Sequence, residues 1–170
     1  MNSISTVVYR KEKHQSKPHP ISRHKTKNHK KRERETIELS GNVISGRGEG
    51  ALYLSHKEYL KQFQSKVKYT PYHGTLNVKI DSIKDSKALK HIEGFGHHEI
   101  SGFKKKGKSF GGVKCFEATL NNSIPCHVIR LEKTHHDVSV VELISKYNIR
   151  NIADISDESR VKIDIESDLN

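Results

Sequence analysis

From Thr36 onward apolar residues recur at alternate positions, and that period predicts strands. Thr36–Ser45 alternates. Leu76, Val78 and Ile80 share one face of an extended segment, with Thr75 and Asn77 on the other. Val113–Leu120 and Ile124–Leu131 flank the polar run Asn121-Asn122-Ser123, which predicts a hairpin. Val138–Lys146 is an apolar run, and Val161, Ile163 and Ile165 alternate at the end of the closing segment Ile152–Ile165. His91-Ile92-Glu93-Gly94-Phe95 reads as a further strand or its end. The period changes over Tyr53–Lys66, where Tyr53, Leu54, Tyr59, Leu60 and Phe63 predict an amphipathic helix with Ser55 as its N-cap. Short strands, glycine turns and one or two helices predict a mainly β fold, a compact barrel.

Residues 1–36 show neither period. Of the 170 residues, 31 are Lys or Arg and 20 are Asp or Glu, a net charge of +11. Eleven of those cations and only three acids fall in residues 1–36, so the tail carries +8 and the rest +3. Such a stretch predicts disorder. It suits weak polyanion contact through counterion release, or no specific task at all. Its four histidines, His14, His19, His24 and His29, read as composition. The division expected is a basic tail over 1–36, a domain over 37–166 and a polar end over 167–170. No signal-peptide pattern and no long apolar run appears, which predicts a cytoplasmic protein without a membrane partner. Cys115 and Cys126 have no metal-ligand spacing and read as reduced core residues.

Four segments carry candidate chemistry. Pro71-Tyr72-His73-Gly74 is a turn that leads into Thr75 and Asn77, two neutral oxygen donors on one face. They suit a hard cation such as Mg²⁺, or simply face water. Gly46-Arg47-Gly48-Glu49-Gly50 is either a flexible loop or a nest of backbone N–H groups for phosphate. Glu142 stands among Val140, Val141, Leu143 and Ile144, where an acid must be exposed or hydrogen-bonded. Tyr147-Asn148-Ile149-Arg150 is a turn or a helix start, and Arg150 suits a phosphate or a helix end. Gly102–Ser109 matches GxxxxGK[ST] letter by letter, but paired glycines and strand character follow it. It is therefore a hairpin turn and not a P-loop. His135 and His136 are adjacent, so they point apart and do not share an ion.

The order of these motifs resembles the archaeal CTP-dependent riboflavin kinases. The likeness rests on Gly46–Tyr53, Pro71–Val78, Gly107–Val113, Lys133-Thr134 with Glu142, and Asn148–Arg150, and it spans about residues 37–165. It implies a six-stranded cradle-loop barrel with one or two short helices. Its substrates would be CTP and riboflavin, and its products CDP and FMN. The family's nucleotide loop falls on Gly46, Arg47, Gly48, Glu49, Gly50 and Ala51, with a second segment on Tyr147, Asn148, Ile149 and Arg150. Its Mg²⁺ ligands fall on Thr75 and Asn77, and its flavin contacts on Thr134 and Glu142. Asp157-Glu158-Ser159 departs from the family's closing turn, and His73 from its usual PYxG residue. No general base stands out; Glu49 is a candidate by position, with loop structuring the plainer role. The rival readings are a nucleic-acid-binding protein working through the tail, and an inactive relative that senses flavin or nucleotide.

Overall fold

The computed structural model describes residues 35–132 and 139–167, the side chains of Glu49 and Leu52 excepted. In chain order the elements are β1 (Thr36–Ile44), α1 (Glu49–Leu54), α2 (Lys57–Lys66), β2 (Leu76–Ile80), α3 (Ile83–His91), β3 (His98–Ile100), β4 (Phe103–Lys105), β5 (Lys108–Phe110), β6 (Val113–Leu120), β7 (Ile124–Leu131), β8 (Val140–Ile144), α4 (Ile149–Ala153) and β9 (Arg160–Glu166). Six strands close a ring. β1 pairs with β2, β2 with β8, β8 with β7, β7 with β6, β6 with β9, and β9 with β1, always antiparallel. Closure leaves the ring without a free edge. β6 manages it by dividing one edge, so that Ala118–Leu120 pair with β9 while Val113–Cys115 pair with β3.

The two-residue period decides what enters the barrel. Leu76, Val78 and Ile80 of β2, Phe116, Ala118 and Leu120 of β6, and Val161, Ile163 and Ile165 of β9 fill the interior. Residues between them face outward, and part of that outer face is itself covered. Leu54, Tyr59, Phe63 and Val67 lie over Val113, Cys115, Ile129 and Ile144 as a second apolar cluster. Cys126 belongs to the interior and Cys115 to the outer cluster. Both thiols are free and buried, and burial pushes each up to about 12.

Three expectations need correction. The single helix over Tyr53–Lys66 is two, because α1 begins inside the glycine loop and the chain turns at Ser55-His56. The N-cap of α2 is His56, whose side chain makes no capping bond, and not Ser55. His91–Phe95 is not a strand. α3 ends at His91 and Ile92–Gly94 tightens into a 3₁₀ turn, which lets Leu89, Ile92 and Phe95 all join the barrel interior. Ser82 caps α3 by accepting from the Asp85 N–H at 3.3 Å, and Asp85 accepts from the Ser40 N–H of β1 at 2.9 Å.

The lysine-rich turn behaves as its composition requires. β4 and β5 form a hairpin whose Lys106 and Gly107 both take positive φ, 48° and 75°, the geometry of a primed two-residue turn. A strand follows and not a helix, so no P-loop is formed. Among the described residues no helix is long and apolar enough to cross a membrane.

Candidate active site

The outer cluster is incomplete on one side, and the gap is a slot. Tyr53, Leu54, Tyr59, Phe63 and Phe110 form its walls, with Val113, Ile129 and Leu131 beneath and Glu142 and Asn77 at one end. Its aromatic wall is tightly organised. Phe103 and Phe110 stack at 4.7 Å with an interplanar angle of 16°, Tyr53 meets Phe110 edge-on at 6.2 Å, and Tyr59 meets Phe103 edge-on at 4.8 Å. Tyr59 Oη donates to the Gly111 carbonyl at 2.6 Å, and burial, followed by Tyr53 and Glu132, pushes the phenol above its ordinary value and keeps it protonated. The Gly112 N–H donates to Glu132 at 2.7 Å, which anchors the rim. This lining suits a flat, largely apolar ligand with a polar end.

Beside the slot lies a second, polar hollow. Ser45, Gly46, Ala51, Gly74, Arg150, Ser156 and Asp157 line it. Arg150 donates to Asp157 at 2.7 Å and to the Ile44 carbonyl at 3.1 Å, while Ser45 Oγ donates to the same Asp157 carboxylate. Those two bonds, Ser45 first, hold the Asp157 carboxyl below its ordinary value. The result is a cation pinned at the hollow's edge.

Gly48, Gly50, Thr75 and Asn77 belong to both linings. Thr75 and Asn77 share one face, as their spacing requires, and Asn77 is 8% exposed. It does not simply face water, because the glycine loop lies on top of it. A Cβ on Gly46 would overlap the Asn77 amide, and one on Gly50 would sit 2.7 Å from Thr75 Oγ1. Glycine is needed at both positions for close approach.

The structure thus brings Gly46, Arg47, Gly48, Gly50, Ala51, Thr75, Asn77, Glu142 and Arg150 to one outer face. Glu49 is in α1, with its side chain among those not described. Tyr147, Asn148 and Ile149 line neither cavity. Ile149 is in the barrel interior, Tyr147 is exposed, and Asn148 caps α4 by accepting from the Asn151 N–H at 3.4 Å while donating to Tyr72 Oη at 3.1 Å. Thr134, the His135-His136 pair and the basic residues of 1–34 lie outside the described residues. Sequence reasoning passed over Ser45, Tyr53, Phe110 and Asp157. For Asp157 the only signal was its departure from a turn pattern, since its partner Ser45 is 112 residues away.

A closed six-stranded antiparallel barrel with a glycine loop over a Thr–Asn pair, between an aromatic slot and a polar hollow, defines a small-molecule-binding barrel. Residues 43–165 match the family model CTP-dep_RFKase, described as "Domain of unknown function DUF120", and the chain belongs to that family. It is 45% identical over 129 residues to the riboflavin kinase of Cenarchaeum symbiosum, covering 76% of this chain and 66% of that one. It is 40% identical over 129 residues to the riboflavin kinase of Thermoplasma acidophilum, covering 76% and 57%. With the riboflavin kinase of Pyrobaculum islandicum the identity is 39% over 132 residues, covering 76% and 61%. The matched region thus spans 57% to 66% of the length of these curated relatives.

Proposed function

We propose that this chain is a CTP-dependent riboflavin kinase, transferring the γ-phosphate of CTP to the ribityl 5′-hydroxyl of riboflavin to give FMN and CDP. The observation that carries this reading is the shared lining: an aromatic slot and a polar hollow meet at Thr75 and Asn77. A two-substrate transfer needs the reacting atoms held close together, and adjoining cavities allow that. The family match and the names of its riboflavin kinase relatives favour the same chemistry.

The slot's stacked and edge-on aromatics suit an isoalloxazine ring, with Glu142 at the polar end as a hydrogen-bond acceptor. Thr134, carried from the family resemblance, is assigned to the same substrate. The hollow would take the nucleotide. Gly46, Gly48, Gly50 and Ala51 line it and would offer backbone N–H groups to the phosphates, and Arg150, held by Asp157, would neutralise charge at its edge. Tyr147, Asn148 and Ile149, carried from the family resemblance, are assigned to the nucleotide beyond the hollow's lining, Ile149 through its backbone alone because its side chain is in the core.

Thr75 and Asn77 fit Mg²⁺, which takes one or two protein oxygens and fills its shell with phosphate and water. The glycine loop lies close over them, at a distance that only Gly46 and Gly50 without a Cβ allow. Bound there, Mg²⁺ would neutralise charge between the transferring phosphoryl group and its acceptor. The protein's own work is positioning: the slot fixes the hydroxyl, the loop fixes the phosphates, and α1 and α2 with the β4–β5 hairpin exclude water.

Incubating the chain with riboflavin and each of CTP, ATP, GTP and UTP, with and without Mg²⁺, tests the reading. FMN is expected with CTP and Mg²⁺. No FMN under any combination, with riboflavin still bound, would instead mark a flavin sensor.

A further inference from the structure

Away from the slot, three potential ligands converge on the outer face of the barrel. Glu117 of β6 stands opposite His127 of β7, and His98 of β3 stands opposite Cys115, the next same-face residue along β6 from Glu117. One donor atom from each of His98, Glu117 and His127 lies within 4.8 Å of the other two, and His98 Nε2 is 3.7 Å from Glu117 Oε1.

His127 adds an independent observation. It is 8% exposed, and its Nδ1 lies 2.9 Å from Tyr69 Oη. Tyr69 has one proton, and it donates that proton to the Ile144 carbonyl at 3.3 Å. In the tautomer that matches this arrangement Tyr69 accepts from His127 Nδ1–H, and Nε2 is then a bare lone pair. That Nε2 is buried and has no hydrogen-bond partner among the described residues.

We propose that His98, Glu117 and His127 bind a divalent transition-metal ion of the zinc type, at a site separate from Thr75 and Asn77. Two imidazoles and one carboxylate are a zinc donor set, whereas the oxygen-only pair in the active site suits Mg²⁺. Tetrahedral zinc, with bonds of about 2.0–2.1 Å, holds its ligand atoms about 3.3 Å apart. The three donors therefore need to close by no more than about 1.5 Å. His98 and Glu117 have the freedom to do so, their side chains being 18% and 22% exposed. Tyr69 would be the outer partner that fixes the His127 tautomer and ring angle. The ion would tie β3 to β7. Among the described residues β3 is an edge strand that pairs only with β6, and it leads directly towards Phe103, which stacks on Phe110 of the slot, so metal at this site would brace one side of the slot.

The test uses the full chain with His14, His19, His24 and His29 replaced by Ala, so that tail histidines do not compete. After chelation it is titrated with Zn²⁺ by calorimetry and with Co²⁺ by visible absorption. One equivalent of Zn²⁺ is expected, with a Co²⁺ ligand-field band that Zn²⁺ displaces. His98→Ala and Glu117→Gln, at partly exposed positions that the fold tolerates, should each abolish the band without changing the circular dichroism. Absence of stoichiometric binding, or a band that survives both substitutions, would overturn the proposal.

Discussion

Asn77 on β2 stands directly opposite Glu142 on β8, and both side chains leave the barrel on the face covered by α1 and α2. Asn77 touches both cavities while Glu142 lines the slot alone. Glu142→Gln is therefore expected to raise KM for riboflavin severalfold and leave KM for CTP near its original value. Separate saturation curves for the two substrates check this, and the opposite order would contradict a flavin role for Glu142.

Thr75 and Asn77 contribute oxygens and little else to the interior. Thr75→Val with Asn77→Ala should lower Mg²⁺-dependent turnover by at least about 100-fold, the scale of losing positioned electrostatic groups. The thermal midpoint should move only a few degrees, since neither side chain enters the barrel. Near-normal turnover in the double variant would remove the metal assignment.

Gly50 is a sharper probe of the loop. A Cβ there would lie 2.7 Å from Thr75 Oγ1 and 2.9 Å from Thr75 Cγ2. Gly50→Ala should displace the threonine and lower kcat more than stability. The double change Gly50→Ala with Thr75→Ser, which removes Cγ2, should recover part of the rate. Equal rates in the single and double variants would show that the contact is unimportant.

The parts of this site that were legible in the sequence depend on neighbours along the chain. Thr75 and Asn77 follow from a two-residue period, and the β4–β5 and β6–β7 hairpins follow from Lys106-Gly107 and Asn121-Asn122-Ser123. The two-lobed shape was not legible, because it depends on which outward residues the closed ring brings together. α3 was hidden by its charge: only Leu89 is buried within it, and its one clear signal was the Ser82–Asp85 cap. Ser55 was a sound N-cap by composition, but the glycine loop starts a helix at Glu49 and moves the break to His56. Spacing alone left Thr75 and Asn77 open between a plain strand and a cation pair, and only the resemblance to the CTP-dependent riboflavin kinases favoured the pair.

Asp157 links pH to the hollow. Its carboxyl is held below its ordinary value of 3.8 by Ser45 and then Arg150. A carboxyl depressed in the fold stabilises it above the unfolded value and loses that contribution as pH falls through the folded value. The Arg150–Asp157 pair should therefore stay intact from pH 5 to 9, and KM for CTP should show no step from this carboxyl over that range. Asp157→Asn should raise KM for CTP severalfold and narrow the difference between urea midpoints at pH 7 and pH 3. A midpoint difference unchanged by the substitution would contradict the linkage.

The most direct measurement is a crystal structure of the chain with riboflavin, Mg²⁺ and a non-hydrolysable CTP analogue. The flavin ring should lie in the slot against Tyr53 and Phe110, and the phosphates against Gly46–Gly50. The metal should sit about 2.1 Å from Thr75 Oγ1 and Asn77 Oδ1. The ribityl 5′-oxygen should stand about 3–3.5 Å from the γ-phosphorus. Phosphates bound away from Thr75 and Asn77, or a flavin outside the aromatic slot, would contradict the account.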